Sequence, residues 1–302
     1  MGRVLTLKRL DASRRRIQLI AIVGLVNLAG MAASAELIQR TFPVAANATL
    51  LLRSHSGKIK IQGWDQAQIE IKGDRASELV DVSIMGEEQK VVVQTHLTRE
   101  KLSPDEARVD FEIRVPRQAI VRVESERGTV SVQNVEGSVT VETVSSSVEL
   151  FRLKGNISAR TMDGPIVIRS AEGRVTADSI SGDISFAQVN STELVGTTNA
   201  GIIRYEGEFG MDGSYVLNNY SSPIVIVTSN RASFDVTARA VSGSIENNLD
   251  IRPIPMGSPL RPSTPGKFLQ GRFNGGRSTV KVSSYSGTIK LQGSGTAAAS
   301  VR

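Results

Sequence analysis

The sequence predicts an all-β, single-domain β-solenoid, similar to a parallel β-helix, built of 18-residue coils that each hold two short strands. Three observations lead there. First, between residues 128 and 191 apolar residues recur every nine positions as Val130, Val139, Val148, Ile157, Ile166, Val175 and Ile184. They recur again two residues later as Val132, Val141, Leu150, Ala159, Ile168, Ala177 and Phe186. Two apolar residues flanking a polar one describe a strand with one buried face. Second, a small residue separates the units (Gly128, Gly137, Ser146, Gly155, Gly164, Gly173, Gly182, Ser191), where a tight turn leaves little room for a side chain. Third, alternate turns differ. Ser125–Gly128, Thr143–Ser146, Thr161–Gly164 and Ser179–Gly182 open on a hydroxyl, whereas the intervening turns carry Glu136, Lys154 or Glu172 before the small residue. The true repeat is therefore two strands, and since no unit this short can bury its own apolar face, coil must stack on coil. A beat of nine excludes the six-residue period of left-handed hexapeptide helices, and the strict alternation excludes helical spacing.

A third apolar series, Val135, Val144, Leu153, Met162, Ala171, Ile180 and Val189, completes each unit. Tyr220 and Tyr285 fall at the position of Val144, Met162 and Ile180, and so read as core or corner packing rather than a ligand platform.

In chain order, residues 1–35 read as an export signal: a basic stretch with Lys8, Arg9, Arg14, Arg15 and Arg16, an apolar run from Ile17 to Met31, and Ala33-Ser34-Ala35 before Glu36. An uncleaved anchor is the alternative. Residues 36–123 carry strand pairs at less regular spacing, including Leu50/Leu52, Ile59/Ile61, Ile69/Ile71, Val91/Val93 and Phe111/Ile113, as expected of a region that caps a stack. A charged stretch from Thr98 to Arg108, interrupted by Pro104, reads as a solvated loop or one helical turn on the surface. Residues 124–292 are the coils proper. Within them a segment at 251–267, with Pro253, Pro255, Pro259, Pro262 and Pro265, reads as an exposed loop because proline removes ladder donors. Val280, Val282, Ile289 and Leu291 read as the last coil, and 293–302 as a disordered tail.

The charge balance narrows the partners. The chain holds 36 basic and 30 acidic residues, of which the first 35 residues supply six basic and one acidic, so the remainder stands at 30 against 29, or +1. That leaves no electrostatic case for nucleic acid, and membrane contact is expected only through an uncleaved N-terminal segment. Cysteine is absent, which excludes disulfides, thiol nucleophiles and cysteine metal sites.

Several motifs carry a resemblance. The stretch from Ser56 to Asp65 (SGKIKIQGWD), Phe111–Pro116 (FEIRVP), the Ser-x-Ser-Gly-x-Ile type turns at Ser179–Ile184 and Ser284–Ile289, and the closing glycine-rich segment resemble the bacterial "putative adhesin" family of unknown function, over about residues 48–292. The resemblance implies an exported all-β solenoid with no established enzymatic activity, and it supplies no catalytic motif.

Read from the residues, Glu124, Glu142, Arg160 and Asp178 should form one surface ladder of mixed charge, with Thr140, Ser158 and Thr176 as a second ladder and Thr143, Thr161 and Ser179 as a third. His55 and His96, the two histidines, have no evident catalytic partners. No catalytic residue, cofactor or metal site is expected. The expected binding surface comprises Trp64, which can stack on a sugar or cover the end of the core, and an exposed patch of Tyr205, Phe209 and Tyr215 in the looser coils. The function expected is a non-enzymatic, exported envelope or surface scaffold, an adhesin-like module. It would bind an envelope protein or an extracellular glycan or protein from the periplasm, the cell surface or the medium. A periplasmic partner of an envelope sensor and a glycan-active β-helix enzyme are the alternatives.

Overall fold

Alternation of buried and exposed residues runs through almost every strand of the computed structural model, which describes residues 36–254 and 267–294. The export-signal reading of 1–35, most of the proline-rich segment and most of the tail lie outside the described residues. Nineteen strands form, and no helix among the described residues. They are β1 (Glu36–Pro43), β2 (Thr49–Trp64), β3 (Gln68–Arg75), β4 (Val80–Glu87), β5 (Lys90–Leu97), β6 (Val109–Pro116), β7 (Ile120–Gln133), β8 (Val139–Asp163), β9 (Ile166–Ser179), β10 (Ile184–Ala187), β11 (Asn190–Thr198), β12 (Ile203–Glu206), β13 (Ser214–Asn219), β14 (Ile224–Thr228), β15 (Phe234–Ala240), β16 (Ser244–Asn247), β17 (Phe268–Phe273), β18 (Ser278–Ser284) and β19 (Thr288–Gly293).

Each coil lays one strand on a first face, turns a corner, and lays a second strand on the opposite face. The 18-residue period is visible in the register, where Val121 pairs with Val139, Val130 with Val148, Val148 with Ile166 and Ile157 with Val175, all in parallel. The coils then lengthen, since Ile184 pairs with Ile203 and Ile203 with Ile224, steps of 19 and 21 residues. Leu50, Val121, Val139, Ile157, Val175, Leu194, Tyr215, Val280 and Val236 make one inward column, and Ile59, Val130, Val148, Ile166, Ile184, Ile203, Ile224 and Ile289 face it. All are buried. Each contributes roughly 1.5–3 kcal/mol by leaving water.

Both ends of the stack are out of sequence order. At the N-terminal end β2 is sandwiched, pairing with β5 and β6 on one side and β7 on the other, so β5/β6 forms the outermost coil. The coil register thus reaches into residues expected to be a less regular cap, and the reason it was hidden is distance: Arg53 bonds Glu124 across 71 residues. At the C-terminal end β18/β19 slots between β13/β14 and β15/β16, so the final coil in sequence is not the final coil in the stack. Antiparallel strands cover the exposed edges: β4 on β5, β3 on β6 with β1 beyond it, and β17 on β15. Such coverage protects ladder groups that would otherwise template association.

Candidate binding face at the open corner

The two corners of each coil are chemically different. Where a coil passes from second face to first, the backbone enters the left-handed region at Asn134, Arg152, Ser170 and Gln188 (φ 52–58°), and the next residue, Val135, Leu153, Ala171 or Val189, turns into the core and is buried. We call this the closed corner. At the other corner the side chain ending the first-face strand caps the turn in four coils: Ser179 Oγ accepts from Gly182 N–H (2.8 Å), Thr198 Oγ1 from Gly201 N–H (3.2 Å), Asn219 Oδ1 from Ser222 N–H (2.6 Å) and Ser284 Oγ from Gly287 N–H (2.9 Å). At Ser179 this cap accounts for the Ser/Thr-x-x-Gly pattern, whereas Ser125 and Thr161 donate instead to the carbonyls of Arg127 and Asp163. Coils touch here, so the position is held by small residues, glycine in most coils and serine at Ser146 and Ser222. A Cβ on Gly182 would sit 1.8 Å from Gly164 O, and one on Gly201 2.0 Å from Gly182 O.

With its backbone ends tied inside, this corner turns the intervening residue outward. Val144, Met162, Ile180, Tyr220, Tyr285 and Val241 stand 46–57% exposed along the stack, and the Tyr220 and Tyr285 rings are parallel at 4.8 Å. This is the open corner. The reading of Tyr220 and Tyr285 as packing is corrected here: members of the third apolar series alternate between corners, so Val135, Leu153, Ala171 and Val189 are core while Val144, Met162, Ile180 and the two tyrosines face solvent.

Beside the C-terminal part of the open corner lies a groove of about 500 Å³, bounded by Thr197, Asn199, Asn218, Tyr220, Arg239, Ser283 and Tyr285. Toward the N-terminal end of the same corner a second depression of about 400 Å³ is bounded by Arg53, His55, Thr95, Glu124, Glu142 and Val144. His55 Nδ1 lies 2.9 Å from Thr95 Oγ1, and His55 Nε2 is 3.9 Å from Glu126.

The predicted mixed-charge ladder exists on the first face. Glu124 stands beside Glu142 and Arg160 beside Asp178 in the register. Arg53 bonds Glu124 at 2.9 Å, and Arg160 bonds Asp178 at 3.3 Å. Two of these carboxylates are thus matched by cations, and the ladder forms no acidic cluster.

The expected aromatic patch is corrected too. Tyr205 and Tyr215 are fully buried and Phe209 nearly so. Tyr205 stacks on Phe209 at 4.7 Å and meets Tyr215 edge-on at 5.6 Å. Both tyrosines occupy inward positions of the beat, Tyr205 next in line after Phe186 and Tyr215 next after Leu194, and the longer coils make room for rings. Backbone groups satisfy their hydroxyls, with Tyr205 donating to Glu208 O (2.8 Å) and Tyr215 accepting from Gly210 N–H (2.7 Å). Burial pushes the Tyr205 phenol far up, so it stays neutral. Trp64 is half-buried, donates Nε1–H to Gln68 O (2.9 Å) and lies under the Arg114 guanidinium at 5.5 Å. It ends the second-face part of β2 and joins none of the other three.

A family model described as Toastrack DUF4097 matches residues 47–292, nearly the span over which the motifs resemble the bacterial adhesin-like family. No curated protein matches the chain. Among solved structures, the chain is similar to a "putative cell adhesion protein" from Clostridium sporogenes, with 11% identity, 85% of this chain and 100% of that one covered, and a TM-score of 0.27. It is also similar to a "putative adhesin" from Bacteroides fragilis, with 10% identity, coverage of 85% and 98%, and a TM-score of 0.38. A "putative adhesin" from Parabacteroides merdae gives 11% identity, coverage of 65% and 90%, and a TM-score of 0.26. Likeness this distant carries no argument about residues or ligands.

Proposed function

Because the chain belongs to the Toastrack DUF4097 family, a β-solenoid-like fold, we propose that it is a non-enzymatic, exported, adhesin-like module that binds its partner along the open corner. One observation carries this reading: apart from the exposed Asn199 between Ile180 and Tyr220, the column Val144, Met162, Ile180, Tyr220, Tyr285 and Val241 is apolar yet exposed, although the closed corner shows that the same beat can bury such residues. Extended exposed apolar surface on a soluble protein marks an interaction site. The stack presents it at a repeat of about 4.8 Å, which suits a partner that runs along the axis. Two carboxylates of the charge ladder, Glu124 and Asp178, are engaged by Arg53 and Arg160, which favours binding over hydrolysis at those positions.

Two measurements test the reading. With a C-terminal tag on the chain, protease added to intact cells should remove the tag, whereas protection until the outer membrane is opened would rule out the surface location. Cells carrying the combined Val144→Ser, Met162→Ser and Ile180→Ser chain should express it folded and lose adherence. Unchanged adherence would rule out the open corner as the binding face.

A further inference from the structure

The groove beside Tyr220 and Tyr285 differs in charge from the rest of the first face. Over β7, β8 and β9 the face is balanced by the Arg53–Glu124 and Arg160–Asp178 pairs. Over β11, β13, β18 and β15 the outward positions are Glu193, Val195 and Thr197, then Ser214, Val216 and Asn218, then Thr279, Lys281 and Ser283, then Asp235, Thr237 and Arg239. Both acids there are already engaged. Glu193 is bridged by Arg174 at 2.8 Å, and Asp235 takes both branches of the Arg272 guanidinium at 2.7 and 2.8 Å, which holds its carboxyl below the ordinary carboxylate range. Arg239 and Lys281 are exposed, and neither has a carboxylate in bridging range among the described residues. A third cation, Lys267, reaches the rim, donating from Nζ to Val241 O at 3.2 Å.

We propose that this groove binds an acidic glycan, a polysaccharide segment carrying uronate carboxylates; the proposal rests on the open corner being the binding face. Three kinds of group converge on that chemistry. The exposed, stacked Tyr220–Tyr285 pair offers apolar aromatic surface to the C–H face of a sugar ring. Thr197, Asn218 and Ser283 stand in register across adjacent coils, so hydroxyl and amide groups repeat along the axis for sugar hydroxyls. Arg239, in register with Ser283, and Lys281, one strand pitch of about 6.6 Å from Ser283 on the same face, supply charge for carboxylates, with Arg239 able to take one in bidentate fashion. An acidic peptide would satisfy the cations but leave the tyrosine pair and the hydroxyl row without matched partners.

Isothermal titration of the full chain with tetragalacturonate, its fully methyl-esterified form and tetraglutamate separates these possibilities. Binding of tetragalacturonate is expected, weakened at least about tenfold by esterification, with tetraglutamate weaker by a similar factor. Arg239→Gln and Tyr285→Ser should each reduce tetragalacturonate affinity about tenfold, and Arg160→Gln, outside the groove, should leave it unchanged. Since all three sites are exposed, an unchanged circular dichroism spectrum and melting midpoint show that each variant is folded. No binding of tetragalacturonate, equal binding of the ester or of tetraglutamate, or indifference to Arg239→Gln would each overturn the proposal. If adherence still depends on Met162 while tetragalacturonate fails to bind, the glycan assignment falls and the open-corner reading survives. If adherence is indifferent to the corner, that reading falls first.

Discussion

Leu153 and Met162 are nine residues apart in the same apolar series, and they end in opposite environments, Leu153 fully buried at the closed corner and Met162 54% exposed at the open one. The difference lies in how each corner ties its backbone. At the closed corner a left-handed residue swings the next side chain inward. At the open corner the Thr161 side chain turns in, is buried and donates to the Asp163 carbonyl, and Met162 after it faces solvent. A single beat therefore builds a wall of packing on one side of the solenoid and a ridge on the other. The apolar period alone does not tell them apart; the residue before each member does through its burial, Thr161 being buried and Arg152 exposed.

The largest effect that sharpens this contrast is expected at the closed corner. Leu153→Ala should cost about 3 kcal/mol in urea denaturation, the usual price of a core cavity. A loss under about 1 kcal/mol would mean that the corner is not packed. Next comes the glycine column of the open corner. Gly182→Ala places a Cβ 1.8 Å from Gly164 O, where both partners are backbone and cannot swing away, so a loss of about 2 kcal/mol is expected. Moving back to the closed corner, Gln188→Gly relieves a left-handed residue in the column that Gly207 occupies one coil further on, and should stabilise by roughly 0.5–1 kcal/mol. Smallest of all, Met162→Ala should stay within about 0.5 kcal/mol of the parent, because an exposed side chain loses little on truncation. If Met162→Ala cost as much as Leu153→Ala, the two corners would be equivalent and the contrast would be lost.

Much of the fold is legible in the sequence. The 18-residue coil, its two strands and the Glu124/Glu142 and Arg160/Asp178 ladder positions all follow from local spacing, which a fixed period exposes. The sandwiched coils do not, because β2 meets β7 and β13 meets β18 across long separations filled by cap strands and by the proline-rich segment, and no local pattern records which coil a strand will join. The candidate site was harder still. Tyr205 and Tyr215 looked available because they sit in irregular coils, yet each continues an inward column, which their spacing from Phe186 and Leu194 encodes once the longer coils are aligned. Tyr220 and Tyr285 were correctly aligned with Val144, Met162 and Ile180, but that position was assigned to packing. What separates the position is the burial of the residue before it, as at Thr143, Thr161, Ser179, Asn219 and Ser284, and residue type does not encode that, because Asn134 and Ser170 precede the buried Val135 and Ala171.

The absence of cysteine from the chain permits the most direct test, the native-state alkylation rates of single-cysteine variants. Val144→Cys, Met162→Cys and Ile180→Cys should react with a soluble maleimide at close to the rate of a free thiol, while Val135→Cys, Leu153→Cys and Ala171→Cys should react only as fast as the protein unfolds. Equal rates in the two sets, or slow labelling at 144, 162 and 180, would contradict the claim that one beat builds a closed corner and an open one.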